Sequence, residues 1–208
     1  MHTAKLVWIT PDAQDLVAKI ARVSNPSNEN NKETAPRLLR YLIKHKHWSP
    51  FEMVSMCVEI TTTRAISPQI LRHRSFSFQE FSQRYAIATE VDMPMLRRQD
   101  TQNRQNSIDD LTFTERSAFY DRIDRHFDEG MQLYDDMLKA GIAKECARAV
   151  LPSNTATRMY MTGTIRSWLH YCDLRCANGT QAEHQQIANS IKDLLAEQVP
   201  DIYDAMFC

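Results

Sequence analysis

FEMVSMCVEITTT, residues 51–63, alternates so that Val54, Met56, Val58 and Ile60 fall on one side and polar or half-polar residues on the other. A period of two over this length reads as a long half-buried strand, which needs a sheet on its edges and a cover on one face. KLVWIT (5–10) and TRMYMTG (157–163) supply further strand candidates. Most of the remaining apolar spacing is helical. Leu16, Val17, Ile20 and Val23 follow the Pro11-Asp12 start signal, and Leu38, Leu39, Leu42 and Ile43 form a second stripe after Thr34 and Pro36. RAISPQILRHR (64–74) reads as a helix interrupted early by Pro68. A long helix is expected from about Thr114 to Ala140, with Tyr120, Ile123, Phe127, Met131, Tyr134 and Leu138 as its stripe and Gly141 as its cap. Shorter helices follow at 142–150, 164–174, 182–198 and near 201–207. The segment 93–112 is polar and reads as irregular and mobile. One α+β domain over residues 1–208 is expected, mostly helices around a central antiparallel sheet.

Composition narrows the class. The 208 residues are 43% hydrophobic, with four glycines and eight prolines, as in an ordinary globular chain rather than a low-complexity one. No apolar run approaches the ~18 residues of a membrane span, and MHTAKLVWIT carries no secretory pattern. Five cysteines without paired CxxC spacing point to reduced thiols and a cytoplasmic protein. Cys172 and Cys176 could share a helical face, but two thiols make a poor metal site, so no metal is expected. The formal net charge of -1 argues against a general nucleic-acid binder. Arginine nevertheless makes up 17 of the 25 cationic residues, and its fork suits phosphate and carboxylate.

The cations concentrate in RHRSFSFQEFSQRYA (72–86), interleaved with Phe76, Phe78 and Phe81. A solvated turn over core phenylalanines accounts for such a stretch about as well as an anion pocket does. In the pocket reading, Arg72, Arg74 and Arg84 supply guanidinium forks and Ser77 and Ser82 hydroxyls. Gln79 and Glu80 then match the edges of a flat ring. Phosphates on a planar heterocycle satisfy all of these together.

Arg72-His73-Arg74, seven residues, then Ser82 resembles the signature of the flavin-dependent thymidylate synthases, extended here through Ser77, Glu80, Arg84 and Tyr85. ARVS (21–24), KHKHWSPFE (44–52), ARAVLP (147–152), RSW (166–168) and DLR (173–175) fall in the order and spacing of the same family. The resemblance covers most of the chain, with 93–112 the least family-like part. It implies the family fold and methylation of dUMP at uracil C5. The carbon donor would be 5,10-methylenetetrahydrofolate, and FAD reduced by NADPH would carry hydride.

For FAD it implies Ser24, His47, Ser49, Arg72, His73, Arg74, Glu80, Thr164, Arg166 and His170. For dUMP it implies Gln69, Arg72, Glu80, Phe81, Ser82, Gln83, Arg84, Arg148 and Arg175. Arg84 and Arg148 would be phosphate forks, and Arg175 would activate the ring as the catalytic residue. The resemblance also implies a homotetramer with active sites shared between subunits, needing neither nucleic acid nor membrane. Ser82 and the cysteines are read as non-nucleophilic, His45, His126 and His184 as surface histidines, and Tyr85 as packing. Gln79 stands where the family commonly has Asn. CANGTQAEH (176–184) keeps only Gln181 of an acid-Ser-His-Ala-Gln pattern. Those departures keep open a flavin- and folate-dependent hydroxymethylation, beside a non-catalytic nucleotide- or RNA-binding module.

Overall fold

The computed structural model describes all 208 residues. Six strands form, β1 (Thr3–Ile9), β2 (Ser55–Thr63), β3 (Ser77–Glu80), β4 (Arg98–Gln99), β5 (Ser107–Ile108) and β6 (Ala156–Thr164). The helices are α1 (Ala13–Ala21), α2 (Ala35–Lys44), α3 (Ser67–Ile70), α4 (Phe113–Lys139), α5 (Lys144–Ala147), α6 (Ile165–Arg175), α7 (Ala182–Gln198) and α8 (Pro200–Phe207). The main sheet is antiparallel in the order β1-β2-β6-β3.

The alternation of β2 decides the layering. Met56, Val58 and Ile60, with Met159 and Met161 of β6, turn to one face and are fully buried under Trp168, Leu169, Ile187, Ile191, Leu195 and Ile202 of α6, α7 and α8. The opposite face shows Glu59 and Tyr160, whose hydroxyl donates to Glu59 at 2.7 Å. Trp168 is completely enclosed, and its indole N–H donates to the Met56 carbonyl at 3.0 Å, so burying it leaves no polar group orphaned. α6 begins at Thr164, whose side chain caps the Ser167 N–H, so the end of β6 runs directly into a helix.

Helix bounds at α1, α2, α4, α6, α7 and α8 follow the apolar spacing within two residues. Elsewhere the structure corrects the sequence reading. Only Ser67–Ile70 of the 64–74 stretch is helical: Pro68 opens this helix rather than interrupting it, and the Arg-His-Arg triplet lies in the turn beyond. That turn feeds β3, a strand not expected from the sequence, at the sheet edge against β6. The 93–112 segment is less irregular and less free than expected. β4 pairs with β5, and Arg98 bonds Asp110 and Glu115 at 2.9 and 2.8 Å. Thr112 and Glu115 form a reciprocal capping box at the head of α4.

Candidate active site

Two elements set the motif in place. Phe76 is buried with its ring 4.6 Å from that of Trp168, which anchors the turn after Arg74 to the core. Across from it stands Gly163 of β6, where a Cβ would lie 2.5 Å from Phe76 Cδ1. Only a residue without a side chain lets that ring lie flat on the strand. The triplet therefore stands at the junction of α3, β3 and the N-terminal part of α6.

The C-terminal end of α6 comes back to the same place. Arg175 donates its Nε–H to His73 Nε2 at 2.9 Å. Burial, with the Arg175 charge adding to it, lowers the His73 pKa to about 4, so the imidazole is neutral and able to accept. The His73 ring sits 4.8 Å from that of Tyr171, edge to face. Tyr171 and His184 are both enclosed and hydrogen-bonded at 3.0 Å, and His184 Nδ1 lies 3.4 Å from Gln69 Oε1. Gln69 Nε2 donates to Gln181 Oε1 at 2.7 Å. His184 is thus no surface histidine: it is completely buried, and burial with the charges of Arg175 and His73 lowers its pKa to about 3.

The other predicted residues fall into separate groups. His47 and Ser49 are exposed, and His47 follows Lys46, whose left-handed backbone (φ 57°) turns the loop outward. Trp48, between them, sets its ring 4.6 Å from His170. Arg166 forms an ion pair with Glu52, so its charge is already matched. Thr164 is the cap of α6, and Ser24 is exposed on a cleft of about 510 Å³ with Arg37 and Tyr41. Glu80 accepts from Arg64 at 2.6 Å and from Thr157 at 2.9 Å, which holds its carboxylate against β6. Phe81 continues the ladder through its N–H to Arg158 O at 2.9 Å. Ser82 is exposed, Gln83 is buried, and Arg84 pairs with Glu145 at 2.9 Å. Arg148 closes α5 nearby. Tyr85 is 86% exposed in this chain, so it does not pack as expected.

No carboxylate lies in ion-pairing range of Arg72, Arg74, Arg148 or Arg175. Nor does any hydrogen bond join Arg84, Glu145 or Arg148 to the His73–Arg175 pair. His73 and Arg175 are thus joined directly, while Arg84 is joined to Glu145 of α5. Residues missed from the sequence are Tyr171, Trp48, Arg64 and Glu183; their partners lie on other elements, 13 to 122 residues away, so no local pattern marked them. Glu183 receives Arg97 at 2.8 Å, both largely buried, and this pair ties the 93–112 segment to α7. Beside it lies a polar cleft of about 630 Å³, lined by Arg97, Arg104, Ser107, Asn178, Gln181 and Gln185 among others.

Unmatched guanidinium groups beside a neutral imidazole form a site able to hold an anion. Over residues 5–201 the sequence matches the family described as thymidylate synthase complementing protein. It is 50% identical over 193 residues to a flavin-dependent thymidylate synthase of Synechocystis sp., covering 93% of this chain and 89% of that one. It is 47% identical over 212 aligned positions to a probable flavin-dependent thymidylate synthase of Paramecium bursaria Chlorella virus 1, covering 98% of each. A UMP/dUMP methylase, PolB, from Streptomyces cacaoi, solved with 5-Br dUMP, superimposes with a TM-score of 0.89 at 27% identity, covering 99% of this chain and 94% of that one. The chain belongs to the flavin-dependent thymidylate synthase family, an enzyme family of methyl transfer.

Proposed function

We propose that this chain methylates dUMP at uracil C5 to give dTMP, with FAD as cofactor, NADPH as reductant and 5,10-methylenetetrahydrofolate as carbon donor. The catalytic unit is one domain spanning 1–208, and the setting is the cytoplasm. The observation that carries the reading is the His73–Arg175 hydrogen bond at 2.9 Å. It occupies Nε of Arg175 and leaves both terminal nitrogens, without a carboxylate partner, for a ligand. A guanidinium held this way favours negative charge on the uracil ring and so makes C5 more nucleophilic.

The residues present fit FAD. Arg72 and Arg74 are exposed cations without acid partners in the turn before β3, and His47, Ser49 and His170 add exposed polar groups from a loop and α6. When bound, the flavin supplies hydride chemistry that no side chain here can perform. The chain's own contribution is to bind, orient and polarise. Arg84, which would exchange its Glu145 partner for the ligand, and Arg148 serve as phosphate forks, and Glu80, held by Arg64 and Thr157, presents a fixed carboxylate edge. Ser82 has no hydrogen-bonded base and serves as a donor rather than a nucleophile. The proposed route uses no cysteine nucleophile, and no cysteine sulfur hydrogen-bonds to Arg175 or His73.

The proposed assembly is a homotetramer with active sites shared between subunits. In support, α4 buries only Tyr134 while Phe113, Phe119 and Leu133 stand exposed. No helix is long and apolar enough to cross a membrane.

The deciding experiment is an absorption spectrum of purified protein, then turnover with dUMP, UMP, NADPH and methylenetetrahydrofolate, with products read by mass. A flavin spectrum that bleaches with NADPH, and dTMP as product, is expected. A product heavier by one oxygen would move the assignment to hydroxymethylation. Absence of flavin after added FAD would overturn it.

A further inference from the structure

The Tyr171 hydroxyl is buried with a single partner, His184 Nε2 at 3.0 Å. An enclosed O–H that only accepted would leave its proton unsatisfied, so Tyr171 donates. His184 is neutral and carries one N–H, which then sits on Nδ1 and faces Gln69 Oε1 at 3.4 Å. The Gln69 carbonyl is thereby committed inward. Its amide N–H group turns outward, giving one hydrogen to Gln181 Oε1 at 2.7 Å and keeping one free. Gln181, its carbonyl engaged by Gln69, is in turn hydrogen-bonded to the Glu183 carboxylate.

We propose that the buried Tyr171–His184 pair is a positioning device that fixes the amide orientation of Gln69, so that its remaining N–H is offered to a ring carbonyl oxygen of the pyrimidine. This rests on the function proposed above and sharpens it into base selectivity. An outward donor suits the O4 of uracil and opposes the amino group at the same position of cytosine. A ring contact is favoured over phosphate because Gln69 belongs to the hydrogen-bonded and stacked cluster that includes Arg175. The candidate phosphate forks Arg84 and Arg148 share no hydrogen bond with that cluster. In a site that depends on such donors, a single misdirected amide changes discrimination as well as affinity.

Tyr171→Phe removes the one donor that fixes the His184 tautomer while keeping the ring that packs against His73 and Trp168. The test is equilibrium dialysis of the flavin-loaded assembly with dUMP, dCMP and deoxyuridine, which does not depend on turnover. Tyr171→Phe is expected to lower the dUMP-to-dCMP affinity ratio about tenfold, the scale of one neutral hydrogen bond, with unchanged flavin content. In a Gln69→Leu background the same change is expected to have no further effect on that ratio. His184→Leu, a second route to the same loss, is expected to match Tyr171→Phe. An unchanged ratio in a variant that still binds dUMP would overturn the proposal, as would an equal drop in the Gln69→Leu background. Loss of preference for dUMP over deoxyuridine instead would overturn the ring assignment. A wild-type protein that binds no dUMP would remove the functional reading itself.

Discussion

Arg175 donates Nε–H to His73 Nε2 at 2.9 Å, so the middle residue of the Arg-His-Arg triplet positions a guanidinium that lies 102 residues later in the chain. An acceptor at that point is what the arrangement requires, not a charge. His73→Gln is expected to retain activity within about tenfold, whereas His73→Leu leaves a charged donor unpartnered and is expected to lose about 10–100-fold in kcat/KM. Equal losses in the two variants would show that the acceptor is irrelevant.

The missing side chain at Gly163 is equally specific. Phe76 is wedged between that glycine and Trp168, so the ring has nowhere to retreat. Gly163→Ala is expected to destabilise the fold by about 1–3 kcal/mol, the range for overpacking a core. In a Phe76→Leu background the added methyl should cost much less. Urea denaturation at fixed protein concentration measures both.

Glu183 links the 93–112 segment to α7. Burial by itself raises its pKa, but the hydrogen bonds and charge of Arg97 and the local backbone outweigh that and lower it. Glu183→Ala is expected to cost about 3–5 kcal/mol of local stability, because it leaves Arg97 largely buried without a counter-charge. Limited proteolysis should then cut within residues 98–108 before it cuts elsewhere; an unaltered cleavage pattern would mean that β4, β5 and the Arg98 bonds hold the segment alone.

Acid should weaken the protein in a defined window. His73 and His184 have pKa values lowered to about 4 and about 3, below the ordinary 6.5, so on acidification the unfolded chain takes up their protons first. Stability is therefore complete above about pH 6.5 and is lost as pH falls toward 4 and then 3, with a slope up to about 1.4 kcal/mol per pH unit for the fully buried His184. His184→Leu should flatten the slope between pH 6.5 and 5, while His126→Ala, at an exposed site, should leave it unchanged.

Exposed apolar residues on α4 give the assembly its test. Phe119→Arg and Leu133→Arg are expected to shift light-scattering mass below that of a tetramer and to lower flavin occupancy together. A monodisperse wild-type monomer that holds FAD tightly would contradict sites built from several subunits.

The sequence by itself determined the strand β2, the six longer helices and the Arg-rich triplet, because period-two and period-3.6 apolar patterns and clustered cations are local properties. It also carried the family, through the triplet, Ser82 and the spaced segments around them. Tertiary structure decided what those residues touch. β3 is a short strand that forms only because β6 offers an edge. His184 is polar in sequence and fully buried in the fold, since Tyr171 and Gln69 satisfy both its nitrogens. The 93–112 segment reads as loose because it lacks apolar periodicity, yet Arg97 and Arg98 tie it down through partners its own pattern does not announce. Partner choice across 60 or 100 residues is fixed by packing, and only the folded chain brings Arg175 to His73.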